Sequence, residues 1–314
     1  MKAVRFHEFG GPEVLRYEDV EQPVAGAGEV LIRVTATTFN PVEGNIRLGV
    51  MQGPIPVELP HTPGLDVAGT VDALGEGVEG FAVGDEVVGF LPMTKPGAAA
   101  EYVIAPAVAL ALAPKSIPLA DAAALPLVGL TAYQALFDHG QLKAGQRVLV
   151  NGAGGPVGGY AVQLAKEAGA HVIATASPRS AEAVRTAGAD EVVDHTTTSV
   201  LSALTEEVDL VLNLAPVDPA VLAELVTVVR PGGVVVNTTI WMPAPTDEDR
   251  DVRGINLYVR SDAEQLAKLV ALVDSGDLRV DVAQRVPLTE LPGIHARAAT
   301  GSVRGKVVFL VSGV

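Results

Sequence analysis

The sequence predicts an α/β protein in which a doubly wound parallel sheet is inserted into a β-barrel domain. Residues 1–122 contain short branched apolar runs between glycine and proline turns, whereas residues 123–280 alternate strand-length and helix-length segments. Residues 281–314 return to strand texture and end in "GKVVFLV" followed by a few residues. Because a lone strand is not stable, this tail is expected to rejoin the first sheet. The predicted domains are therefore 1–122 with 281–314, and 123–280.

The composition limits the function classes. A chain of 314 residues with 48% hydrophobic and 19% charged residues is typical of a packed, two-domain globular protein. A formal net charge of −15 argues against general nucleic-acid binding and against an anionic membrane surface. The absence of cysteine excludes disulfides and thiolate zinc sites. With neither a signal-like start nor a membrane-length apolar run, the chain is expected to be cytoplasmic and to have no membrane partner.

The first segment has the texture of an all-β barrel. Its strand-length runs are "EVLIRVTATTF", "VAGTVDAL", "DEVVGF" and "AAEYVIA", and turn signals such as Gly10-Gly11-Pro12 separate them. The middle segment instead places helix-period stretches such as "VGGYAVQLAKEAGA" between the strands "VLVNG", "HVIATA", "EVVD", "VDLVLNLA" and "GGVVVNTT". Alternation at this spacing predicts a parallel sheet covered on both faces.

A glycine-rich junction, "RVLVNGAGGPVGGYAVQLA" at residues 147–165, carries the strongest functional signal. Arg147–Val150 reads as a strand, Pro156 as the first residue of a helix and Gly169 as its C-terminal stop. Glycines here permit a tight turn, close approach of a diphosphate and close helix packing, and the helix N-terminus attracts the anion. The predicted diphosphate-binding residues are Gly152, Ala153, Gly154, Gly155, Pro156, Val157 and Gly158.

The second strand of the middle segment indicates which dinucleotide binds. NAD-binding folds carry a carboxylate about 20 residues after the glycines, on the ribose 2′-hydroxyl. The second strand here ends Thr175-Ala176-Ser177 without an acidic residue, and Ser177 reads as an N-cap with Arg179 in the first helical turn. A serine and an arginine at a helix start suit a 2′-phosphate, so NADPH is the predicted cofactor.

Further cofactor contacts are expected where later strands end, because ligands of open parallel sheets bind at the carboxyl edge. These residues are Asn213, Leu214, Ala215, Asn237, Thr238 and Thr239. His195 follows the third strand and is interpreted as a loop residue near the adenine.

Taken together, the segments "MKAVRFHEFGGPEVL", "FNPVEGNIRLG", "PGLDVAGTV", "LPLVGLTAYQAL" and "GSVRGKVVFLV" resemble the medium-chain dehydrogenase/reductase superfamily. Within it, the chain is most similar to the zinc-independent quinone oxidoreductase, or zeta-crystallin-like, group. The resemblance implies a GroES-like barrel domain, a Rossmann domain and a homodimer. The segment at 232–241, "GGVVVNTTIW", is read as the Rossmann edge strand through which the dimer would form.

The resemblance also implies that no metal takes part. Zinc-dependent relatives carry a cysteine where Asn40 stands, and their Gly-His-Glu ligand motif corresponds to Gly64-Leu65-Asp66. Lewis-acid polarisation through these positions is therefore not expected. Hydride transfer to a conjugated acceptor needs only hydrogen-bond donors and positioning.

The site residues follow from the same resemblance. Asn40 and Thr131 are expected to orient the nicotinamide and its acceptor. Many relatives carry a tyrosine where this chain has Val50 and Met51, so the proton is expected to come from water or from another group such as Tyr258. Val50, Met51 and Leu65 are the expected substrate contacts.

The expected activity is NADPH-dependent reduction of a quinone or an α,β-unsaturated carbonyl. Two alternatives stay open: a pathway-specific enoyl or ketone reductase of a polyketide-like intermediate, and a non-catalytic relative that binds NADPH.

Overall fold

A computed structural model describes residues 1–239 and 241–311. The chain divides into two compact units: unit 1 is Met1–Leu127 together with the chain from Ser261 onward, and unit 2 is Val128–Arg260. The strands are β1 Lys2–Phe6, β2 Leu15–Asp19, β3 Glu29–Thr38, β4 Asp66–Leu74, β5 Glu86–Phe90, β6 Tyr102–Pro106, β7 Leu110–Leu112, β8 Arg147–Asn151, β9 His171–Ala176, β10 Glu191–Asp194, β11 Val208–Asn213, β12 Val229–Asn237, β13 Arg253–Asn256, β14 Gln284–Pro287 and β15 Val307–Leu310. The helices are α1 Pro41–Arg47, α2 Leu119–Ala122, α3 Pro126–Tyr133, α4 Pro156–Glu167, α5 Ala181–Thr186, α6 Val200–Ala203, α7 Pro219–Glu224, α8 Ala263–Ser275 and α9 Leu291–Ala299.

Unit 1 is built on a seven-stranded sheet in the order β14-β15-β3-β4-β5-β7, with β6 paired to β3. The tail rejoins this sheet, since β15 runs antiparallel to β3 with Val308 opposite Thr38. The sequence prediction for the C-terminal strand is thereby confirmed. Helix α8 also packs in this unit, against β7.

The chain passes from one unit to the other at residues that differ from the predicted domain boundaries, which lie after residues 122 and 280. The second crossing comes earlier, at Arg260–Ser261, because the amphipathic helix α8 packs in unit 1, against β7.

Unit 2 is a six-stranded parallel sheet in the order β10-β9-β8-β11-β12-β13. The strand order reverses between β8 and β11, so the predicted doubly wound Rossmann sheet is confirmed. Leu149, Ile173, Val211 and Val235 from its central strands form one apolar core under helix α7. None of the helices in the described parts of the chain has the length and apolar character needed to cross a membrane.

One sequence interpretation of this sheet is wrong. The segment read as the edge strand begins within β12, and β12 is not at the edge of the sheet. Strand β13 pairs with β12 on its outer side, with Asn237 opposite Asn256. Ile240, near the end of that segment, lies outside the described residues.

Candidate functional site

The glycine loop connects β8 to α4 as predicted. Gly152 has φ +93°, a conformation that favours glycine, and a Cβ there would lie 3.0 Å from the Cβ of Ala215. A Cβ on Gly158 would lie 2.5 Å from the Cα of Ala153, so this glycine lets the helix approach the loop closely. Gly155 is exposed, and a Cβ there would have only the Gly152 carbonyl oxygen, 3.8 Å away, as a neighbour. The loop therefore presents open backbone at its tip.

The N-terminus of α4 presents free hydrogen-bond donors. Gly155 is the N-cap and Pro156 the first helical residue, and no side chain caps this end. Because a helix cannot satisfy its own first N–H groups, those of Val157 and Gly158 point out of the helix start. A diphosphate at this loop would accept these hydrogen bonds and meet the positive end of the helix dipole. The residues present thus fit a dinucleotide.

At the other end, α4 stops as predicted. Gly169 has φ +79°, and its N–H donates to the carbonyl of Lys166. The N–H of Ala170 donates to the carbonyl of Ala165, which completes a Schellman-type ending.

The carboxyl end of β9 carries the serine and arginine residues. Helix α5 begins at Ala181 with Ser180 as its N-cap, so the prediction that Ser177 is the N-cap is wrong. The reason is a preceding turn, in which the carbonyl of Ser177 accepts from the N–H groups of Ser180 and Ala181, each at 3.0 Å. Ser180 contacts the glycine loop closely, because its side chain occupies the position that a Cβ of Gly154 would take.

Arg179 lies in this turn, is exposed, and forms no hydrogen bond or ion pair with any described residue. On the neighbouring strand β10, Asp194 lies opposite Ala176 of β9. Its carboxylate accepts from the backbone N–H and hydroxyl of Thr196, at 2.9 and 2.6 Å, and these hydrogen bonds lower its pKa. His195 follows it, exposed, with its N–H 3.3 Å from the carbonyl oxygen of Ala176.

Four parallel strands of unit 2 end on asparagines in the same register, and three of these, Asn151, Asn213 and Asn237, are joined by side-chain hydrogen bonds. The Nδ2 of Asn151 donates to the Oδ1 of Asn213, and the Nδ2 of Asn213 donates to the Oδ1 of Asn237, both at 2.8 Å. All three are buried, with exposed fractions of 6%, 0% and 1%. We call these three residues the asparagine relay.

The asparagine relay continues at both ends. The N–H of Gly152 donates to Thr175 Oγ1 at 2.8 Å, and that hydroxyl donates to Asn151 Oδ1 at 2.8 Å. At the far end, Asn237 Nδ2 donates to the carbonyl of Met242 at 2.6 Å. All these hydrogen bonds run in one direction, which makes them mutually reinforcing. The relay links the glycine loop to the loop after β12.

Asn213 and Asn237 lie at the carboxyl edge of the sheet, where cofactor contacts were predicted. Their side-chain amides are buried and bonded to each other. Asn151 and Thr175 were not among the predicted site residues, although "VLVNG", "VLN" and "VVVN" show that these strands share an asparagine near their ends. The remaining predicted residues of this edge, Leu214, Ala215, Thr238 and Thr239, are half-buried in the loops after β11 and β12.

Unit 1 contains a second polar site, buried where β3 ends and β4 begins. Asn40 Nδ2 donates to Asp66 Oδ2 at 2.9 Å, and Lys306 Nζ donates to Asn40 Oδ1 at 2.6 Å and to Asp66 Oδ2 at 3.1 Å. Thr38 also donates its hydroxyl to Asp66, and Glu43 lies beside Asn40. We call these five residues the Asn40 cluster.

The other predicted residues occupy different surroundings. Val50 is 54% exposed, whereas Met51 and Leu65 are each 2% exposed, so their side chains are packed inside unit 1. Thr131 is 7% exposed and lies within α3, not at its N-terminal cap. Tyr258 is 66% exposed, just after β13.

Comparisons with known proteins agree with this architecture. A family model described as "Alcohol dehydrogenase GroES-like domain" matches residues 26–115, and one described as "Zinc-binding dehydrogenase" matches residues 187–309. The chloroplast envelope quinone oxidoreductase homolog of Arabidopsis thaliana is 33% identical over 323 residues, covering 98% of each chain. The 2-methylene-furan-3-one reductase of Solanum lycopersicum is 33% identical over 320 residues, covering 98% of this chain and 79% of its own. The solved quinone oxidoreductase of Coxiella burnetii superposes with a TM-score of 0.89 at 31% identity and covers 99% of each chain.

The description of the second model raises the question of zinc. Leu65 offers no ligand atom, and the ammonium of Lys306 contacts both Asn40 and Asp66, so a second cation would be repelled there. No group of three or more His, Asp or Glu residues suited to a metal exists within residues 1–239 and 241–311. The residues at these positions do not fit a zinc ion.

Proteins of this family are oxidoreductases that bind a nicotinamide dinucleotide, and the glycine loop of unit 2 is built for one. With quinone oxidoreductases similar to it along nearly its whole length, the chain belongs to the quinone oxidoreductase group of the medium-chain dehydrogenase/reductase superfamily.

Proposed function

We propose that this protein is an NADPH-dependent reductase of quinones or α,β-unsaturated carbonyls that works without a metal. The observation that carries the proposal is the end of β9, where Arg179 is exposed and unpaired among the described residues. Asp194, on the neighbouring strand, has one carboxylate oxygen bonded to Thr196, and β9 itself ends without an acidic residue that could accept from a ribose 2′-hydroxyl. Arg179 with Ser177 and Ser180 suits a 2′-phosphate.

A bound nicotinamide would supply the hydride from its C4. The N–H groups of the glycine loop and the start of α4 would hold the diphosphate, and His195 would be a contact of the adenine. Asn40 and Thr131 orient the reacting groups by hydrogen bonds. The hydroxyl of Tyr258 gives the proton that completes reduction of an enone.

The chain's own groups replace a Lewis acid in this scheme. Negative charge that develops on the acceptor spreads over a conjugated carbonyl or a quinone, so hydrogen-bond donors suffice to stabilise it. Val50, with its exposed side chain, is the most accessible of the three predicted substrate residues. Met51 and Leu65 are buried, so we expect them to shape the substrate site by packing.

Consumption of NADPH and of NADH with a panel of quinones and enones tests the activity. The name of the tomato relative, an enone reductase, favours including exocyclic enones. Turnover of one specific enoyl thioester or ketone alone would favour the pathway-specific alternative. Cofactor binding without turnover of any acceptor would favour the non-catalytic alternative.

The cofactor choice has its own test. A charge-assisted hydrogen bond to a phosphate contributes about 1.5–3 kcal/mol, and exposure places Arg179 at the lower end. Arg179→Ala should therefore weaken NADPH binding roughly tenfold and leave NADH binding unchanged, as measured by fluorescence titration. Arg185→Ala, an exposed arginine of α5 that pairs with Glu182, is the matched control. Equal losses for both cofactors would refute the 2′-phosphate assignment.

The homodimer is also proposed on the basis of the family resemblance. Since β13 lies outside β12, an interface through this end of the parallel sheet would involve β13 and not the predicted β12 segment. Sedimentation velocity tests this, and a monomer at micromolar concentration would refute it.

A further inference from the structure

The Asn40 cluster is unusual because it places ionisable side chains inside an apolar barrel. Thr38 and Asp66 are 0% exposed, Asn40 is 2% exposed, and Glu43 and Lys306 are 3% exposed. Burying such groups is costly unless they are paired. The cluster joins the end of β3, helix α1, the start of β4 and the residue before β15.

The chemistry of the partners fixes the orientation of the Asn40 amide. An ammonium has only donors, so the atom 2.6 Å from Lys306 Nζ must be the amide oxygen. An ionised carboxylate only accepts, so the atom 2.9 Å from Asp66 Oδ2 must be the amide nitrogen. A flipped amide would place its NH₂ group against the Lys306 ammonium and its oxygen against the Asp66 carboxylate, and neither contact could form a hydrogen bond.

One N–H of Asn40 is less committed than the other. The first donates to Asp66. The closest other acceptors of Nδ2 are Glu43 Oε1 and Thr38 Oγ1, both at 3.4 Å, beyond the usual 2.7–3.2 Å of a good hydrogen bond. The ammonium at the amide oxygen polarises the group and makes this second N–H a stronger donor.

We propose that Lys306 and Asp66 are positioning residues, which hold the Asn40 amide so that its second N–H serves the reacting groups. The proposal rests on the proposed function in one respect, the role of Asn40 toward the nicotinamide and its acceptor. It assigns a role to two residues that do not touch the reactants themselves.

Glu43 makes the arrangement sensitive to pH. Burial raises its pKa to about 8, the nearby Asp66 carboxylate adds to the rise, and the Leu65 N–H and the Lys306 ammonium oppose it. Near pH 7 Glu43 is neutral, and its Oε1 accepts from the N–H of Leu65 at 3.0 Å. Once ionised, Oε1 attracts the second N–H of Asn40 away from the reacting groups. Turnover should fall as pH rises through about 8, and Glu43→Gln should abolish that decline.

The decisive variant is the charge-neutral pair K306M/D66N, because either single change leaves a buried charge unpaired and risks unfolding. The pair should fold and bind NADPH within about twofold of wild type, while kcat for a quinone falls at least tenfold and KM changes less than threefold. Asn40→Ala should cost about tenfold in kcat in the wild type and almost nothing in the pair background. The matched control is K2M/D19N, which removes an exposed ion pair with 2.7 Å between Lys2 Nζ and Asp19 Oδ2. It should leave kcat and KM unchanged.

A second readout needs no turnover. In ¹⁵N-labelled protein, the side-chain NH₂ of Asn40 should exchange slowly with solvent, and exchange should accelerate at least tenfold in K306M/D66N. Wild-type kcat in the pair, an equal cost of Asn40→Ala in both backgrounds, or unchanged exchange would overturn the proposal. Absence of turnover in the wild type would instead refute the proposed function, and the exchange measurement would still decide the positioning role.

Discussion

Replacement of Asn213 by alanine is the sharpest test of the asparagine relay. Asn213 is 0% exposed and links two strands through its amide. The change removes the acceptor of Asn151 Nδ2 and the donor that the carbonyl of Ala215 accepts at 3.1 Å. Asn237 Oδ1 keeps the hydroxyl of Thr239 at 2.7 Å and stays satisfied.

The magnitude follows from one group left without a partner, Asn151 Nδ2, because the carbonyl of Ala215 keeps the N–H of Val217 at 2.9 Å. A buried polar group without a hydrogen bond costs about 1–3 kcal/mol, so the free energy of unfolding of unit 2 should fall by about that amount. A domain of ordinary stability has only about 5–15 kcal/mol in total. The variant should therefore fold, with a loss large enough to measure.

Urea unfolding measures this loss. Trp241, the only tryptophan, lies in unit 2 and supplies a fluorescence signal for it. Asn256→Ala is the matched control: Asn256 occupies the same register on β13, but it is exposed, and among the described residues its side chain bonds only to the N–H of Ala244. The control should change the free energy of unfolding by less than about 1 kcal/mol. A loss below about 1 kcal/mol for Asn213→Ala, or one equal to that of the control, would refute the reasoning.

Three further predictions concern packing and pH. Gly158→Val should lower the free energy of unfolding by about 1–3 kcal/mol and weaken dinucleotide binding, because the new Cβ meets the Ala153 backbone. As a control, the added Cβ of Gly159→Ala has free space around it and should stabilise α4. Thermal melts and dinucleotide titrations in which the two variants behave alike would contradict this prediction. Burial lowers the pKa of His61 to about 4, so the free energy of unfolding should fall by up to roughly 3 kcal/mol as pH falls from 6.5 to 4. Urea titrations of His61→Gln should show a smaller fall over the same pH range. The raised pKa of Glu43 acts in the opposite direction: the free energy of unfolding should fall as pH rises from about 4.5 to 8. If urea unfolding of Glu43→Gln shows the same dependence of this free energy on pH as the wild type, Glu43 is not a neutral buried carboxyl.

The parts predicted well from sequence are those in which a few consecutive residues determine the structure. The glycine loop, the start of α4 at Pro156 and its end at Gly169 depend on local backbone chemistry, and the structure confirms them. The parallel, doubly wound sheet of unit 2 was predicted from the regular alternation of strands and helices. Ser177 shows the limit of local reasoning, because a turn before α5 moved the cap three residues onward.

Other features depend on contacts that the sequence pattern does not display. Helix α8 has the same amphipathic pattern whichever sheet it covers, so its placement in unit 1 was not predictable. The residues Asp66 and Lys306 lie 240 positions apart, and neither stands out in the sequence as part of a buried cluster. The asparagine relay depends on register between strands, which is fixed only when the sheet forms.

The insertion of β15 beside β3 has a consequence for synthesis on the ribosome. Unit 2 is one continuous stretch of chain and can fold as soon as it emerges, whereas the barrel lacks two strands and two helices until residues 261–310 are made. Until then the open side of β3 near Thr38 has no neighbour, and the carboxylate of Asp66 has no ammonium beside it. A nascent chain that stalls before Lys306 therefore leaves a half-built barrel with a free strand edge, the kind of surface on which chaperones act and aggregation begins.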